Sequence, residues 1–197
     1  MSAPTTRKSI LEAALGLFNE SGTAIVSTNH IATEAGISPG NLYYYYRNKE
    51  EIIRALVEEE LQDYDALWRL PHERLLRLED LQAVVSTSFE VQWRYRFFGR
   101  EVVALIRHDP LLGQWCRENY QRRMQQQKAF VQHLIDAGVL RSPQTEAELD
   151  EVLAACWIIT ESWLTYLEST GQPVTYEQFQ TGSQVIARVI HPYLIDR

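Results

Sequence analysis

Three observations predict an all-α protein with a small N-terminal domain and a larger helical body. Apolar residues recur at helical spacing in nearly every segment of the 197 residues. No segment alternates with a two-residue period between turn signals, so a sheet is not expected. The stretch Ser27 to Lys49, STNHIATEAGISPGNLYYYYRNK, has the form of two short helices joined at a glycine, with four consecutive tyrosines on the second.

The elements follow in order. Ile10, Leu11, Ala14, Leu15, Leu17 and Phe18 give a first helix one broad apolar face, and Gly22 supplies its left-handed cap. Ser27 is a good N-cap for a second helix that buries Ile31, Ala32 and Ala35 and closes at Gly36. Ser38 caps a third, with Pro39 at the first helical position. Asn48, with Glu51 three residues on, opens a fourth in the manner of a capping box; it continues through Ile53, Leu56, Val57, Leu61, Tyr64 and Trp68 to Pro71. Further helices are predicted at about 78–98, 100–107, 110–138, 145–169 and 175–190. Asp109-Pro110 is a start signal, and Ala137-Gly138, Ser142-Pro143 and Gly171-Gln172-Pro173 are breaks. The shift from short, turn-jointed helices to long ones puts a boundary near residue 48, giving domains 1–48 and 49–197.

Composition bounds the partners. Net charge is −7, which argues against non-specific nucleic-acid binding by the whole surface. Residues 1–50 balance four basic against four acidic side chains, while residues 91–141 carry net +5. The acidic runs Glu58-Glu59-Glu60 and Glu146 to Glu151 read as solvated helix faces. Cys116 and Cys156 are too few for a disulfide scaffold and read as small buried groups. The N-terminus lacks an apolar signal core and the longest apolar run is far too short to span a bilayer, so a soluble, cytoplasmic protein without membrane contact is expected. The five histidines are scattered without metal-ligand spacing, and no phosphate loop, nucleophile elbow or other catalytic motif occurs. No metal, cofactor or enzymatic activity is expected.

On a wheel at about 100° per residue, Leu42 and Tyr46 of the third helix share the core face, and Gly40, Asn41 and Tyr44 point away. One helix cannot bury all its faces in so small a domain, so the outer face is assigned to DNA. Gly40 permits close approach of backbone to bases, and Asn41 can read a base edge. Tyr43 and Tyr45 can donate phenolic hydrogen bonds to phosphates. Ser27, Ser38 and Lys49 lie at three helix starts, where backbone N–H groups also favour a phosphate. Changing Asn41 or Tyr44 should alter sequence preference, whereas changing Lys49, Tyr43 or Tyr45 should weaken binding to all sequences.

The chain here resembles the TetR family of bacterial transcription regulators. The resemblance rests on Glu20-Ser21-Gly22, Ile31-Ala32, Ala35-Gly36-Ile37-Ser38, Gly40, Leu42-Tyr43, Tyr46 and Lys49-Glu50, about the first quarter of the chain. Two positions depart from the pattern: Tyr45, where the family often has His, and Thr28, where it often has an apolar residue. The resemblance implies a homodimer on a palindromic operator, a dimer interface made by the last two long helices, and a small-molecule effector that relieves repression.

The second domain offers an aromatic and basic stretch, VQWRYRFFGREVVALIR over 91–107, with further aromatics beyond it. Trp68, Trp93, Phe97, Arg100, Ala104, Trp115, Tyr120 and Trp157 are the candidate lining for an apolar, possibly acidic, ligand. The competing assignment is core packing for the aromatics and ion pairs such as Glu90–Arg94 for the arginines. Leu149, Val152, Leu153, Cys156, Trp157, Ile159, Phe179, Val185, Ile186 and Val189 exceed what one small domain would bury and predict a four-helix interface between two subunits. Alternatives at this point are a DNA-binding regulator without an effector and, from another class, a helical enzyme or carrier.

Overall fold

The computed structural model describes residues 3–68 and 74–195; Pro71 and His72 lie outside the described residues. Among these there are nine α-helices and no strand: α1 (Ala3–Ser21), α2 (Thr28–Glu34), α3 (Pro39–Tyr45), α4 (Lys49–Leu67), α5 (Leu78–Arg94), α6 (Arg96–His108), α7 (Pro110–Asp136), α8 (Glu146–Ser169) and α9 (Tyr176–Ile190). A short 3-10 helix, His191–Tyr193, follows, and an isolated antiparallel bridge joins Leu140 to Leu194.

Packing divides the chain into two compact units, Met1–Gln62 with Tyr95–Gln114 and Asp63–Arg94 with Trp115–Arg197. The first unit is therefore larger than the domain expected to end at residue 48. It takes in most of α4, all of α6 and the start of α7. Two helices, α4 and α7, run from one unit into the other without a break.

In the first unit α1 packs on α2 and on α6, and α2 packs on α3. Ile10, Ala14, Phe18, Ile31, Leu42, Ile52 and Leu56 are fully buried there, and the Phe18 and Phe97 rings lie 5.4 Å apart. Gly22, at φ 78°, ends α1 as its N–H bonds to the Phe18 carbonyl. At Gly36, φ 67°, the Ile37 N–H returns to the Ala32 carbonyl, a Schellman closure in which a β-carbon would be strained. Ala35 is half-buried rather than core, because it is the C-cap of α2 and sits beyond the last helical residue.

The break between α5 and α6 falls at Tyr95, not at Gly99. A glycine inside a helix costs only about 1 kcal/mol, and tertiary bonds outweigh it. Asn19 Oδ1 accepts the Phe97 N–H at 3.0 Å, the Tyr95 carbonyl accepts the Phe98 N–H at 2.9 Å, and the Phe97 ring is wholly buried.

In the second unit α8 packs on α9, and α5 packs on both. Phe89, Leu164, Leu167, Phe179 and Ile186 form one core cluster. Leu76, Val84, Phe130, Leu134 and Leu140, with Trp68 against them, form another. Phe179 and Ile186 are thus consumed by the chain's own core, and Leu153 is buried as well. Val152, Cys156, Trp157, Ile159, Val185 and Val189 stay half-buried, while Ile158 and Tyr166 stand exposed on α8. The Glu58–Glu60 run is not wholly solvated either, since Glu60 is buried.

Candidate DNA-binding and effector sites

The caps set the geometry of the paired helices. Ser27 Oγ accepts the His30 N–H at 3.2 Å, and His30 Nδ1 accepts the Ser27 N–H at 3.3 Å, a reciprocal box with histidine in the usual Glu position. Ser38 Oγ accepts the Asn41 N–H at 3.2 Å. Both hydroxyls act here as acceptors, so each keeps its own proton for an outside acceptor. Asn48 Oδ1 accepts the Glu51 N–H at 2.9 Å, while the Glu51 carboxylate accepts from Arg47 N–H, one residue upstream of the expected partner.

The wheel assignment of α3 holds. Leu42 and Tyr46 are buried, and Gly40 and Asn41 are exposed. Tyr44 is 82% exposed and Tyr43 50%, with Tyr45 half-buried and its ring edge-on to Tyr44 at 5.2 Å. Tyr46 lies one residue past the helix, in extended backbone, yet keeps its inward position. Arg7 holds it there, its Nε donating to the Tyr46 hydroxyl at 3.0 Å. Burial pushes the Tyr46 phenol up, so it stays neutral.

Two side chains behave otherwise than their types suggest. The Lys49 ammonium donates to the carbonyls of Thr23 and, at 3.0 Å, Val26. Half-buried and doubly bonded, it ties the start of α4 to the loop between α1 and α2 rather than standing out towards a phosphate. Thr28 Oγ1 and the Tyr43 hydroxyl lie 3.0 Å apart, a bond that locks α2 to α3 and uses the polar residue which departs from the family pattern. Arg47 is exposed two residues after α3; its position in a joint, outside any apolar period, carries no signal in the sequence.

The eight candidate effector residues fall in both units. Phe97 is in the core of the first unit, Arg100 Nη1 donates to the Asn19 carbonyl at 2.8 Å, and Ala104 is exposed on α6. An exposed Ala104 cannot line an enclosed wall. In the second unit Trp68 meets Phe130 edge-on at 5.5 Å, Trp93 lies 5.4 Å from Phe179, Tyr120 meets Trp157 at 5.0 Å, and Trp115 is half-buried. Trp68 thus packs on one core cluster, Trp93 on another, and Tyr120 with Trp157 makes a third ring contact.

The same unit holds a polar network that sequence reasoning did not single out. The Tyr64 hydroxyl donates to Gln92 Oε1 at 3.0 Å, and Gln92 Nε2 donates to Glu161 Oε2 at 3.3 Å. The Arg123 guanidinium lies over the Tyr64 ring, 5.0 Å from its centre, and Arg123 is 2% exposed. Burial pushes the Glu161 carboxyl up to about 7 and pushes Arg123 down from the usual guanidinium range. Cys116 and Cys156 form no disulfide, and burial pushes the Cys156 thiol up to about 11. Among the described residues no group of three or more His, Cys, Asp or Glu is placed to hold a metal, and no helix is long and apolar enough to cross a membrane.

A capped helix pair that presents one short helix outward, carried on a helical body, defines a helix-turn-helix DNA-binding regulator. Residues 10–56 match the family model for bacterial regulatory proteins of the tetR family, and residues 61–197 match that for a bacterial transcriptional repressor of TetR type. The chain belongs to the TetR family. It is 32% identical to a TetR-family transcriptional regulator from Marinobacter aquaeolei VT8, whose crystal structure superposes with a TM-score of 0.88 over 99% of this chain and 92% of that one. It is 29% identical over 191 residues to the HTH-type transcriptional repressor KstR2 of Mycobacterium tuberculosis, covering 93% of this chain and 90% of the relative. A complex of SmeT with triclosan shares the fold, with a TM-score of 0.66 at 20% identity over 98% of this chain and 93% of that one.

Proposed function

We propose that this regulator represses transcription as a homodimer on a palindromic operator and that a small molecule bound in its C-terminal part controls it. In this scheme residues 1–48 read DNA and residues 49–197 bind the effector and form the dimer. The observation that carries the DNA-reading role is the outward face of α3, where Gly40, Asn41, Tyr43 and Tyr44 are all exposed beside a fully buried Leu42. Asn41 and Tyr44 read bases. Ser27, Ser38, Tyr43 and Tyr45 contact phosphates, with Arg47 as the nearby cation. Effector control draws support from the fold's capacity to hold a drug-sized molecule, as SmeT does in its triclosan complex. The helix α4 supplies a path, since it begins beside α3 and its last residues belong to the second unit.

Selection of bound DNA from a random pool should return an inverted repeat with half-sites about one helical turn apart. Asn41→Ala and Tyr44→Ala should then change the preferred bases while circular dichroism and melting stay those of the parent. Recovery of no preferred sequence would overturn the assignment of α3. A regulator without an effector would bind the same DNA with an affinity that no small molecule changes.

A further inference from the structure

The second unit leaves an unusual set of polar atoms unmet in its interior. Among the described residues, Arg123 Nη1 and Nη2, Asp65 Oδ1, Gln126 Oε1, Gln127 Oε1 and Trp68 Nε1 are buried without a hydrogen-bond partner. Native interiors satisfy nearly all such groups, and each exception asks for a water, an ion or a ligand. Arg123, Gln126, Gln127 and Phe130 follow one another at helical spacing on α7, so the orphaned atoms share a face.

Charge is also unbalanced there. Among the described residues the one carboxylate within ion-pair reach of Arg123 is that of Asp65, whose Oδ1 lies 3.3 Å from Nη2 without hydrogen-bond alignment. Asp65 is shared with Arg122, its Oδ2 at 3.2 Å. Two guanidinium groups thus face one carboxylate. Glu161 receives its hydrogen bond from Gln92, and burial pushes its carboxyl up to about 7 against the opposing pull of Arg123. A buried guanidinium without aligned acceptors is costly, and a planar anion that takes both Nη atoms removes that cost.

Polarity falls along the neighbouring helices in one direction. On α7 it runs from Arg123 through Gln127 to Phe130 and Leu134, on α5 from Gln92 through Ser88 to Val84, and on α4 from Tyr64 to the following Trp68. The polar ends meet through the Tyr64–Gln92 bond and the Arg123–Tyr64 stack, and the apolar ends meet through Trp68, Val84, Phe130 and Leu134 in one cluster. From Arg123 to Phe130 the rise along α7 is about 10 Å.

We infer that the interior of the second unit is a site for an elongated amphipathic anion, its carboxylate or similar planar head gripped by Arg123 beside Gln92 and Gln126 and its apolar body directed towards Trp68 and Phe130. The inference rests on the effector site proposed above and names its ligand class and anchoring residue.

The test is calorimetric titration of the full-length protein with hexanoate, decanoate and tetradecanoate and with the alcohols of the same length. At least one carboxylate should bind about tenfold or more tightly than its alcohol, the gain expected of a charged hydrogen-bonded head. Arg123→Met, which replaces the guanidinium by an apolar side chain and so should fold, should abolish that preference while leaving operator affinity without ligand unchanged. Arg123→Lys should keep the preference in weakened form. Equal binding of acid and alcohol, equal binding of decanoate by Arg123→Met, or no binding by any of the series would each overturn the site. Operator affinity is read in parallel. Arg123-dependent binding with no change at the operator would uphold the anion site and defeat effector control, whereas operator release by a compound that ignores Arg123 would do the reverse.

Discussion

Lys49 shows how a residue's type can suggest one task and its neighbours impose another. A lysine at the start of a helix next to a reading head is a natural phosphate contact, but two of its three protons are spent on the Thr23 and Val26 carbonyls. Lys49→Met should lower the stability of the protein by about 1–3 kcal/mol, since two acceptors lose a charged donor, and should leave the salt dependence of DNA binding as it was. Thermal melting and salt titration separate the two outcomes. Glu161 carries a pH signature. Its folded value of about 7 lies above the ordinary 4.5, so between those values the folded state holds a proton that the unfolded chain releases. Its contribution is full below about pH 4.5 and is lost as pH rises through about 7. Glu161→Gln should therefore gain stability relative to the parent on going from pH 5 to pH 8, by about 1–3 kcal/mol. Parallel denaturant curves at both pH values would measure it; an unchanged difference would show that Glu161 is not held neutral.

At the scale of elements, α9 seats on α5 at Gly182, where a β-carbon would lie 2.4 Å from Phe89 Cε1 and 2.8 Å from Trp163 Cδ1. Both rings are large and Phe89 is wholly buried, so neither yields easily. Gly182→Ala should cost about 1–3 kcal/mol through overpacking, despite alanine's better helix propensity, and urea denaturation would show it as a lowered midpoint. The proposed dimer makes a different demand on α8. Its own subunit buries Leu153, Leu164 and Leu167, which leaves Ile158 61% exposed as the large aliphatic side chain at the centre of the outer face. In an isologous interface each such residue meets its symmetry mate or a neighbour of it, so one charge is introduced twice. Ile158→Asp should shift the protein to monomer at micromolar concentration in sedimentation while helicity is retained.

For the whole molecule, the charge distribution sets the character of DNA binding. The chain carries net −7, and its first 50 residues are neutral with four cations. Of these, Arg7 is bonded to Tyr46 and Lys49 to two carbonyls, while Lys8 lies 3.6 Å from Glu12. Only Arg47 and Lys8 remain to release counterions, so a dimer with four such contacts should show a log–log salt slope of about −4 or shallower. Neutral donors such as the Ser27, Ser38 and tyrosine hydroxyls would carry the rest of the backbone contacts. Arg47→Ala should reduce the slope by about 2, one per protomer. A slope unaffected by this change would remove Arg47 from the interface.

Local chemistry sufficed for most helix ends, the outward face of α3 and the family. Capping, glycine closure and a 3.6-residue period act over a few neighbours, so Ser27, Ser38, Gly36 and the split between Leu42 and Tyr44 were legible in the chain itself. The contacts that join distant segments were not. Nothing near Gly99 announces that Asn19, 78 residues before Phe97, caps α6 and moves its start to Arg96. Arg123 reads as one more arginine on a basic helix until folding buries it between Tyr64 and Asp65. The aromatic residues chosen for one pocket separate into several clusters because hydrophobic burial is non-directional: it determines that they go inside, and only the packing of whole helices determines beside what.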